Sequence, residues 1–199
     1  MKYLLKTITT TICFFFLFSC SNTKKENKEI LQETVKTIKK APKSNDFRER
    51  LKNTEPATEA QLKNWLPENL GNLKRETFTT SRISQNNIAS AGAIYKNDEN
   101  QKLEITIVDG ASKDGLLAIN THYMAQNMKI NSNKASGYEK TYERNGLKVL
   151  ETYAKKDNFY RVLFLYDMRF GITLKSYNLS NDELWSLIDK LDKSELNNL

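Results

Sequence analysis

The chain has 199 residues, of which 39 % are hydrophobic and 28 % charged, and its formal net charge is +7 at pH 7. With 7 Gly and 3 Pro, it belongs to neither the collagen-like nor the low-complexity class. Two Cys and one His are too few for a zinc cluster, a disulfide framework or thiol-dependent catalysis. The common sites built from these residues are therefore excluded.

The N-terminus combines a short positive region with an apolar stretch. Two lysines precede an apolar stretch over residues 8–18, which is too short to span a membrane but typical of a secretory signal. Leu17-Phe18-Ser19-Cys20 resembles the lipobox of bacterial lipoproteins. The resemblance implies that residues 1–19 are removed and that Cys20 is lipidated, which anchors the chain in the cell envelope. Ser21 indicates the outer membrane if the host has two membranes. The alternative is an ordinary secretory signal with an incidental thiol.

Residues 20–57 are predicted to form a polar, flexible tether. Residues 20–60 hold ten Lys or Arg against seven Asp or Glu, whereas residues 61–199 hold nineteen against seventeen. Because the folded part is nearly neutral, we expect no nucleic-acid-binding surface on it. Glu26–Lys40 has the spacing of a short amphipathic helix, either a membrane-surface or partner helix or a partly helical spacer.

Residues 58–199 are predicted to form one domain. A capping box at Thr58 and Gln61 begins a short helix that ends before Pro67. Residues with period-two alternation then predict strands at Leu73–Thr80, Ile88–Lys96 and Lys102–Asp109. A helix over Lys113–Met128 follows, with Ser112 as its expected N-cap.

The second half of the domain is predicted to be a strand meander. Asn145-Gly146 is typical of a type I′ hairpin turn. The predicted strands are Tyr138–Arg144, Leu147–Tyr153, Phe159–Tyr166 and Phe170–Ser176, and a capping box at Ser180 and Glu183 begins a last helix. Hairpin-linked strands in separate runs predict an α+β domain with a mostly antiparallel sheet of about six to seven strands and helices packed on it.

Four short segments of the predicted domain can be compared with known sequences: Leu66-Pro67-Glu68-Asn69-Leu70-Gly71, Ala93-Ile94-Tyr95, Ile105-Thr106-Ile107-Val108-Asp109-Gly110 and the Asn145-Gly146 hairpin. These segments resemble an uncharacterised group of bacterial envelope lipoproteins that place a similar domain after a lipobox. The resemblance implies a domain boundary and a location, and it implies no activity, cofactor or site residue.

Candidate catalytic residues are few. An envelope hydrolase or other enzyme could use Asp109 or Glu104 with His122, but the chain has no nucleophile-elbow motif. Asp109, Asp114 and Glu104 could bind a hard cation, although the EF-hand spacing is absent. A structural histidine and solvated loop carboxylates are the expected alternatives, and we expect no cofactor and no metal.

The meander is rich in aromatic residues, which indicates either an ordinary core or a ligand-binding groove. The candidate binding residues are Tyr138, Tyr142, Tyr153, Tyr160 and Tyr166. We therefore expect a lipid-anchored envelope protein that binds a small ligand or another envelope protein and contacts the membrane through Cys20. The alternatives are the enzyme above and a structural lipoprotein that contacts the cell wall through its basic tether.

Overall fold

Nine antiparallel strands form one sheet in the computed structural model, which describes residues 42–80 and 88–199. The strand order is β1-β2-β3-β4-β9-β8-β7-β6-β5, with each strand antiparallel to its neighbours. The strands are β1 (Asn69–Leu70), β2 (Leu73–Thr80), β3 (Ser90–Lys96), β4 (Lys102–Asp109), β5 (Asn131–Lys134), β6 (Gly137–Arg144), β7 (Leu147–Ala154), β8 (Phe159–Tyr166) and β9 (Phe170–Tyr177).

The predicted α+β class and antiparallel sheet are confirmed, but the predicted strand number is wrong. The described residues contain nine strands. The prediction missed the two short edge strands, β1 and β5, because neither shows period-two alternation of apolar residues. β5 has the sequence Asn-Ser-Asn-Lys and no apolar side chain. It is held by main-chain pairing with β6, so burial imposes no alternation on it.

The helices differ from the prediction in two places: a helix over Pro42–Lys52 lies within the predicted flexible tether, and one predicted helix is interrupted. The expected helix over Lys113–Met128 is interrupted at Ile119, whose φ of −86° and ψ of 1° depart from helical values. The N-cap is Ala111, and Ser112 is the first helical residue, with a positive φ of 74°. The α-helices are α1 (Pro42–Lys52), α2 (Glu59–Trp65), α3 (Ser112–Ala118), α4 (Asn120–Asn127) and α5 (Asn181–Lys190), and short 3₁₀ helices follow at Lys155–Asp157 and Lys193–Asn198.

The two predicted capping boxes and the predicted hairpin turn are confirmed. Thr58 and Gln61 cap α2 reciprocally, as Ser180 and Glu183 cap α5. Asn145 and Gly146 have φ values of 53° and 74°, so both central residues of the β6–β7 turn lie in the left-handed region. This turn fixes the register in which Arg144 pairs with Leu147 and Tyr138 pairs with Tyr153.

Different helices pack on the two faces of the sheet. On the core face, the alternating apolar residues of β3, β4, β8 and β9 pack in one cluster with Trp65 of α2 and Trp185 of α5. The opposite face, called the α4 face below, packs on α3 and α4, which carry the chain from β4 across the sheet to β5 at its far edge. A smaller cluster there joins Ile119 and Leu165 to Phe47 and Leu51 of α1.

The compact unit begins at Asp46, ahead of the boundary predicted at Thr58. The apolar side chains of Phe47 and Leu51 explain the difference, since both are buried. The signal sequence, Cys20 and the predicted helix over Glu26–Lys40 lie outside the described residues. None of the described helices has the length and apolar character needed to cross a membrane.

Candidate functional site

Four of the five candidate tyrosines lie together on the core face of strands β6, β7 and β8. Strand register places Tyr138 beside Tyr153 and Tyr153 beside Tyr160, which makes a row across three strands. The ring centroids are 5.4 Å apart in the first pair and 4.5 Å apart in the second. Tyr142 follows on β6, and its ring centroid is 6.1 Å from that of Trp185. All four tyrosines are half-buried, so their rings are partly open to solvent. These four tyrosines are called the tyrosine face below.

A buried carboxylate lies beneath the tyrosine face. Glu151 of β7 is fully buried and accepts hydrogen bonds from the hydroxyls of Tyr138 and Tyr142, each at 2.5 Å. The indole Nε1 of Trp185 donates to Glu151 Oε2 at 3.1 Å. Burial raises the pKa of Glu151, but hydrogen bonds from Tyr138, Tyr142 and Trp185 outweigh burial and bring that pKa below its ordinary value. The carboxylate is therefore ionised at neutral pH.

The two tyrosines that bind this carboxylate remain protonated. Burial, followed by the hydrogen bond to Glu151, raises the pKa of Tyr138 and of Tyr142 above the ordinary value. Both phenols are therefore donors at every physiological pH, and their rings are neutral. The site therefore combines the negatively charged carboxylate of Glu151 with the π-faces of the neutral rings of Tyr138 and Tyr142.

Lys140 places an ammonium group in this site. Its Nζ lies 4.5 Å from the ring centroid of Tyr138 and 4.9 Å from that of Tyr142. The same nitrogen is 3.7 Å from Glu151 Oε1, which is longer than a charge-assisted hydrogen bond of about 2.7–2.9 Å. The Lys140 side chain is 41 % exposed. Two rings and a carboxylate thus surround a cation that solvent also reaches.

A second cation extends the site along β6. The Arg144 guanidinium lies 4.7 Å from the Trp185 ring centroid. One of its nitrogens is 3.8 Å from Asp182 Oδ1, and another donates to Asn181 Oδ1 at 3.4 Å. Cations over aromatic rings therefore recur along this strand.

Tyr166, the fifth candidate, is not part of this group. It pairs with Phe170 at the far end of β8. Six residues of strand separate it from Tyr160, which corresponds to about 20 Å. Tyr166 lies on the predicted strand, but this distance separates it from the other four tyrosines.

Three residues of the site were missed by the sequence analysis: Lys140, Glu151 and Trp185. Glu151 carried a usable indication, because it occupies an inward position between Val149 and Tyr153 on an otherwise apolar strand face. A carboxylate at such a position needs hydrogen-bond partners. Trp185 could not have been assigned to the site, because only the tertiary fold brings α5 over β7.

The histidine of the enzyme alternative has no catalytic partner among the described residues. His122 lies on the α4 face, where its Nε2 is 3.0 Å from Thr173 Oγ1 and its Nδ1 has no hydrogen-bond partner within the described ranges. Burial lowers the pKa of His122 to about 4. Its ring fills the space above Gly171, where an added Cβ would come within 2.6 Å of Nδ1. His122 is therefore a neutral packing residue.

Asp109 lies on the core face of the sheet, opposite His122, and forms a buried ion pair with Arg169. Its two carboxylate oxygens accept from Arg169 Nε at 2.8 Å and from Nη2 at 2.7 Å. The backbone N–H groups of Ala57 and Ala111 also donate to it, at 2.8 and 2.9 Å. Arg169 further donates to the backbone carbonyl of Leu199 at 2.7 Å. The pair holds the chain before α2, the β4–α3 loop and the C-terminus together.

The residues of the enzyme and cation-binding alternatives are thus not brought into one site. Glu104 is paired with Lys102 at 2.5 Å. Asp109 and His122 are on different faces of the sheet, and no group of three potential metal ligands occurs among residues 42–80 and 88–199.

A small cavity of about 200 Å³ lies away from the tyrosine face. Its lining comes from α1, the β8–β9 turn and the C-terminal segment, namely Arg50, Leu51, Thr54, Asp167, Arg169, Leu196 and Asn197. The four tyrosines of the tyrosine face are half-buried, so solvent reaches them. Neutral ring faces and a buried anion are groups that attract cations.

Comparison with known proteins gives no match: no protein-family model, no curated protein and no solved structure matches this chain.

Proposed function

We propose that this chain is a lipid-anchored protein of the bacterial cell envelope whose domain binds a ligand that carries an ammonium group. The lipobox-like Leu17-Phe18-Ser19-Cys20 supports the anchor, and Ser21 supports the outer membrane in a host with two membranes. The observation that carries the binding proposal is the position of the Lys140 ammonium between Tyr138, Tyr142 and Glu151.

The site offers a ligand cation the same interactions that it offers Lys140. An ammonium group over an aromatic ring contributes about 0.5–1 kcal/mol at an exposed site and about 2 kcal/mol or more when desolvated. The ionised carboxylate adds attraction that water screens weakly, because Glu151 is fully buried. The three hydrogen bonds to Glu151 hold this anion in place before any ligand arrives.

Lys140 can leave the site at low cost. Its side chain is partly exposed, its stem is flexible, and its nitrogen is beyond hydrogen-bond distance from Glu151. When a ligand ammonium replaces it, the carboxylate keeps a counter-ion and the Lys140 ammonium becomes hydrated. Lys140 therefore acts as an internal competitor that lowers the affinity for weakly bound cations.

Calorimetric titration with choline tests the proposal, with 3,3-dimethylbutan-1-ol as a neutral probe of the same shape. Choline is expected to bind and the neutral alcohol is not. Lys140→Ala removes the competitor and is expected to tighten choline binding by about fivefold, which corresponds to about 1 kcal/mol for one exposed cation–π contact. Lys148→Ala is the matched control, because Lys148 is exposed on the other face of the same hairpin.

Two variants at Tyr138 separate the ring from the hydroxyl. Tyr138→Phe and Tyr138→Leu both lose the hydrogen bond to Glu151, but only Tyr138→Leu loses the ring face. Made in the Lys140→Ala protein, Tyr138→Leu is expected to weaken choline binding more than Tyr138→Phe does. Equal binding of choline and the neutral alcohol, or no change in Lys140→Ala, would overturn the proposal.

A further inference from the structure

The large exposed hydrophobic side chains of the described residues lie on the helices that cross the α4 face or directly after them. They are Leu117, which is 76 % exposed, and Met124 and Met128, each 43 % exposed. Leu117 lies on α3, and Met128 follows α4 directly, one helical turn after Met124. These three residues are called the apolar stripe below.

The interruption at Ile119 does not break this stripe. The backbone N–H of Ile119 donates to the carbonyl of Gly115 at 3.0 Å, and the N–H of Tyr123 donates to the carbonyl of Ile119 at 3.0 Å. The first bond is the last of α3 and the second is the first of α4, so the two helices follow each other directly at Ile119. The other side of the pair is buried against the sheet through Gly115, Ile119 and His122. The apolar stripe consequently faces solvent along both helices.

Basic side chains border the apolar stripe. Lys113 precedes Leu117 by one helical turn, and Lys129 follows Met128 directly; both are exposed. The Arg48 guanidinium of α1 lies 4.8 Å from the ring centroid of Tyr123 on α4. The neighbouring Glu49 of α1 is already paired with Lys52 at 2.7 Å. An apolar strip between cations is typical of helices that lie on anionic bilayers.

We propose that the apolar stripe docks on an anionic lipid bilayer. Leucine and methionine side chains can enter the acyl boundary of a bilayer while lysine and arginine contact its headgroups. The location near a membrane rests on the proposed lipid anchor. α1, the first described helix after the predicted anchor in sequence, packs on α4 through Phe47, whose ring centroid is 5.5 Å from that of Tyr123. The tyrosine face lies on the other face of the sheet and would stay free.

A single fluorescent label on the mature chain tests this proposal without any lipid anchor. The chain from residue 20 onward with Cys20→Ser contains no cysteine, since the other Cys is at position 13. Leu117→Cys or Asp182→Cys then carries one environment-sensitive nitrobenzoxadiazole group. Asp182 is the matched control, because it is 95 % exposed on α5, which packs on the core face.

Vesicles of digalactosyldiacylglycerol, a neutral lipid without an ammonium group, mixed with phosphatidylglycerol are expected to shift the emission of the label at position 117 to shorter wavelength and leave the label at position 182 unchanged. In a sedimentation assay, Leu117→Asn is expected to weaken partitioning by about tenfold, the effect of leaving one leucine side chain unburied. An unshifted label at 117 or equal shifts at both positions would overturn the proposal. An equal shift with digalactosyldiacylglycerol alone would overturn the requirement for anionic lipid. Either failure leaves the ammonium site standing, because that site is on the other face of the sheet.

Discussion

The buried pair of Asp109 and Arg169 joins three separate parts of the chain, so breaking it is expected to be costly. Arg169→Met leaves a fully buried carboxylate without its counter-ion and is expected to lower the free energy of unfolding by about 3–5 kcal/mol. Urea denaturation followed by the fluorescence of the two buried tryptophans measures this change.

Arg161→Met is the control for this prediction. Arg161 and its partner Glu139 are both 40 % exposed and 3.6 Å apart, so this pair is expected to contribute less than about 1 kcal/mol. If both arginine variants lower the free energy of unfolding by the same small amount, Asp109 is not held as described. It would then be available again for chemistry.

His122 predicts a loss of stability in mild acid. The unfolded chain binds a proton at His122 below its ordinary pKa of 6.5, whereas the folded protein does so only near a pKa of about 4. The free energy of unfolding should therefore be unaffected by His122 above pH 6.5 and fall as pH decreases toward 4, by up to about 1.4 kcal/mol per pH unit.

His122→Gln removes this pH dependence, and no other histidine can mask it, because His122 is the one histidine of the sequence. Urea denaturation of both proteins at a series of pH values gives the difference. Parallel curves for the two proteins between pH 6.5 and 4 would show that His122 is protonated in the folded state.

At the scale of elements, the β6–β7 hairpin depends on the conformation of its turn. Gly146 has a φ of 74°, and a Cβ at this position would meet no atom within 4 Å. Gly146→Val is therefore expected to lower the free energy of unfolding by about 1–2 kcal/mol through backbone strain alone. Gly146→Asn, which tolerates the left-handed region, is expected to cost less. Equal effects of Val and Asn in thermal melts would argue against this explanation.

The longer strands could be predicted from the sequence because burial on one face imposes a period of two. β2, β4 and β8 have the predicted bounds, and β3, β6, β7 and β9 differ from them by one or two residues. β1 and β5 could not be predicted in this way, because edge pairing uses the backbone alone. The interruption at Ile119 could not be predicted either, because the helical spacing of apolar residues continues across it in the sequence.

The candidate site was predictable only in part. Alternation placed Tyr138 and Tyr142 on one face of β6, and the hairpin turn fixed the register that brings Tyr153 beside Tyr138. The burial of Glu151 depends on Trp185 of α5, which donates a hydrogen bond to it. This contact joins distant parts of the chain, so local sequence patterns do not predict it. The position of Lys140 over two rings follows from its own rotamer, which the sequence does not specify.

At the scale of the whole molecule, the proposed N-terminal anchor and the two proposed binding surfaces belong to one chain. Cys20→Ser is expected to abolish lipidation and leave the precursor uncleaved or mislocalised, because the sulfur of Cys20 is the proposed acceptor of the lipid. Mass spectrometry of the native mature protein and membrane fractionation check this prediction. An unmodified Cys20 in the mature protein would rule out the anchor.

The two surfaces lie on opposite faces of one sheet. The apolar stripe is on the solvent side of the helices that pack on the α4 face. The tyrosine face is on the core face, at strands β6 to β8. A domain held to a bilayer through its α3–α4 side would present the Lys140 site away from the lipid. Anchoring and ligand binding are therefore compatible in one molecule.

The most direct test of the ammonium site is the proton NMR spectrum of Lys140 during a choline titration. In the free protein the ε-methylene protons of Lys140 lie near the faces of Tyr138 and Tyr142, so ring currents should move their resonances upfield. Saturating choline is expected to return these resonances to their ordinary position, whereas 3,3-dimethylbutan-1-ol leaves them unchanged. Choline that binds without moving the Lys140 resonances, or that does not bind at all, would contradict the account.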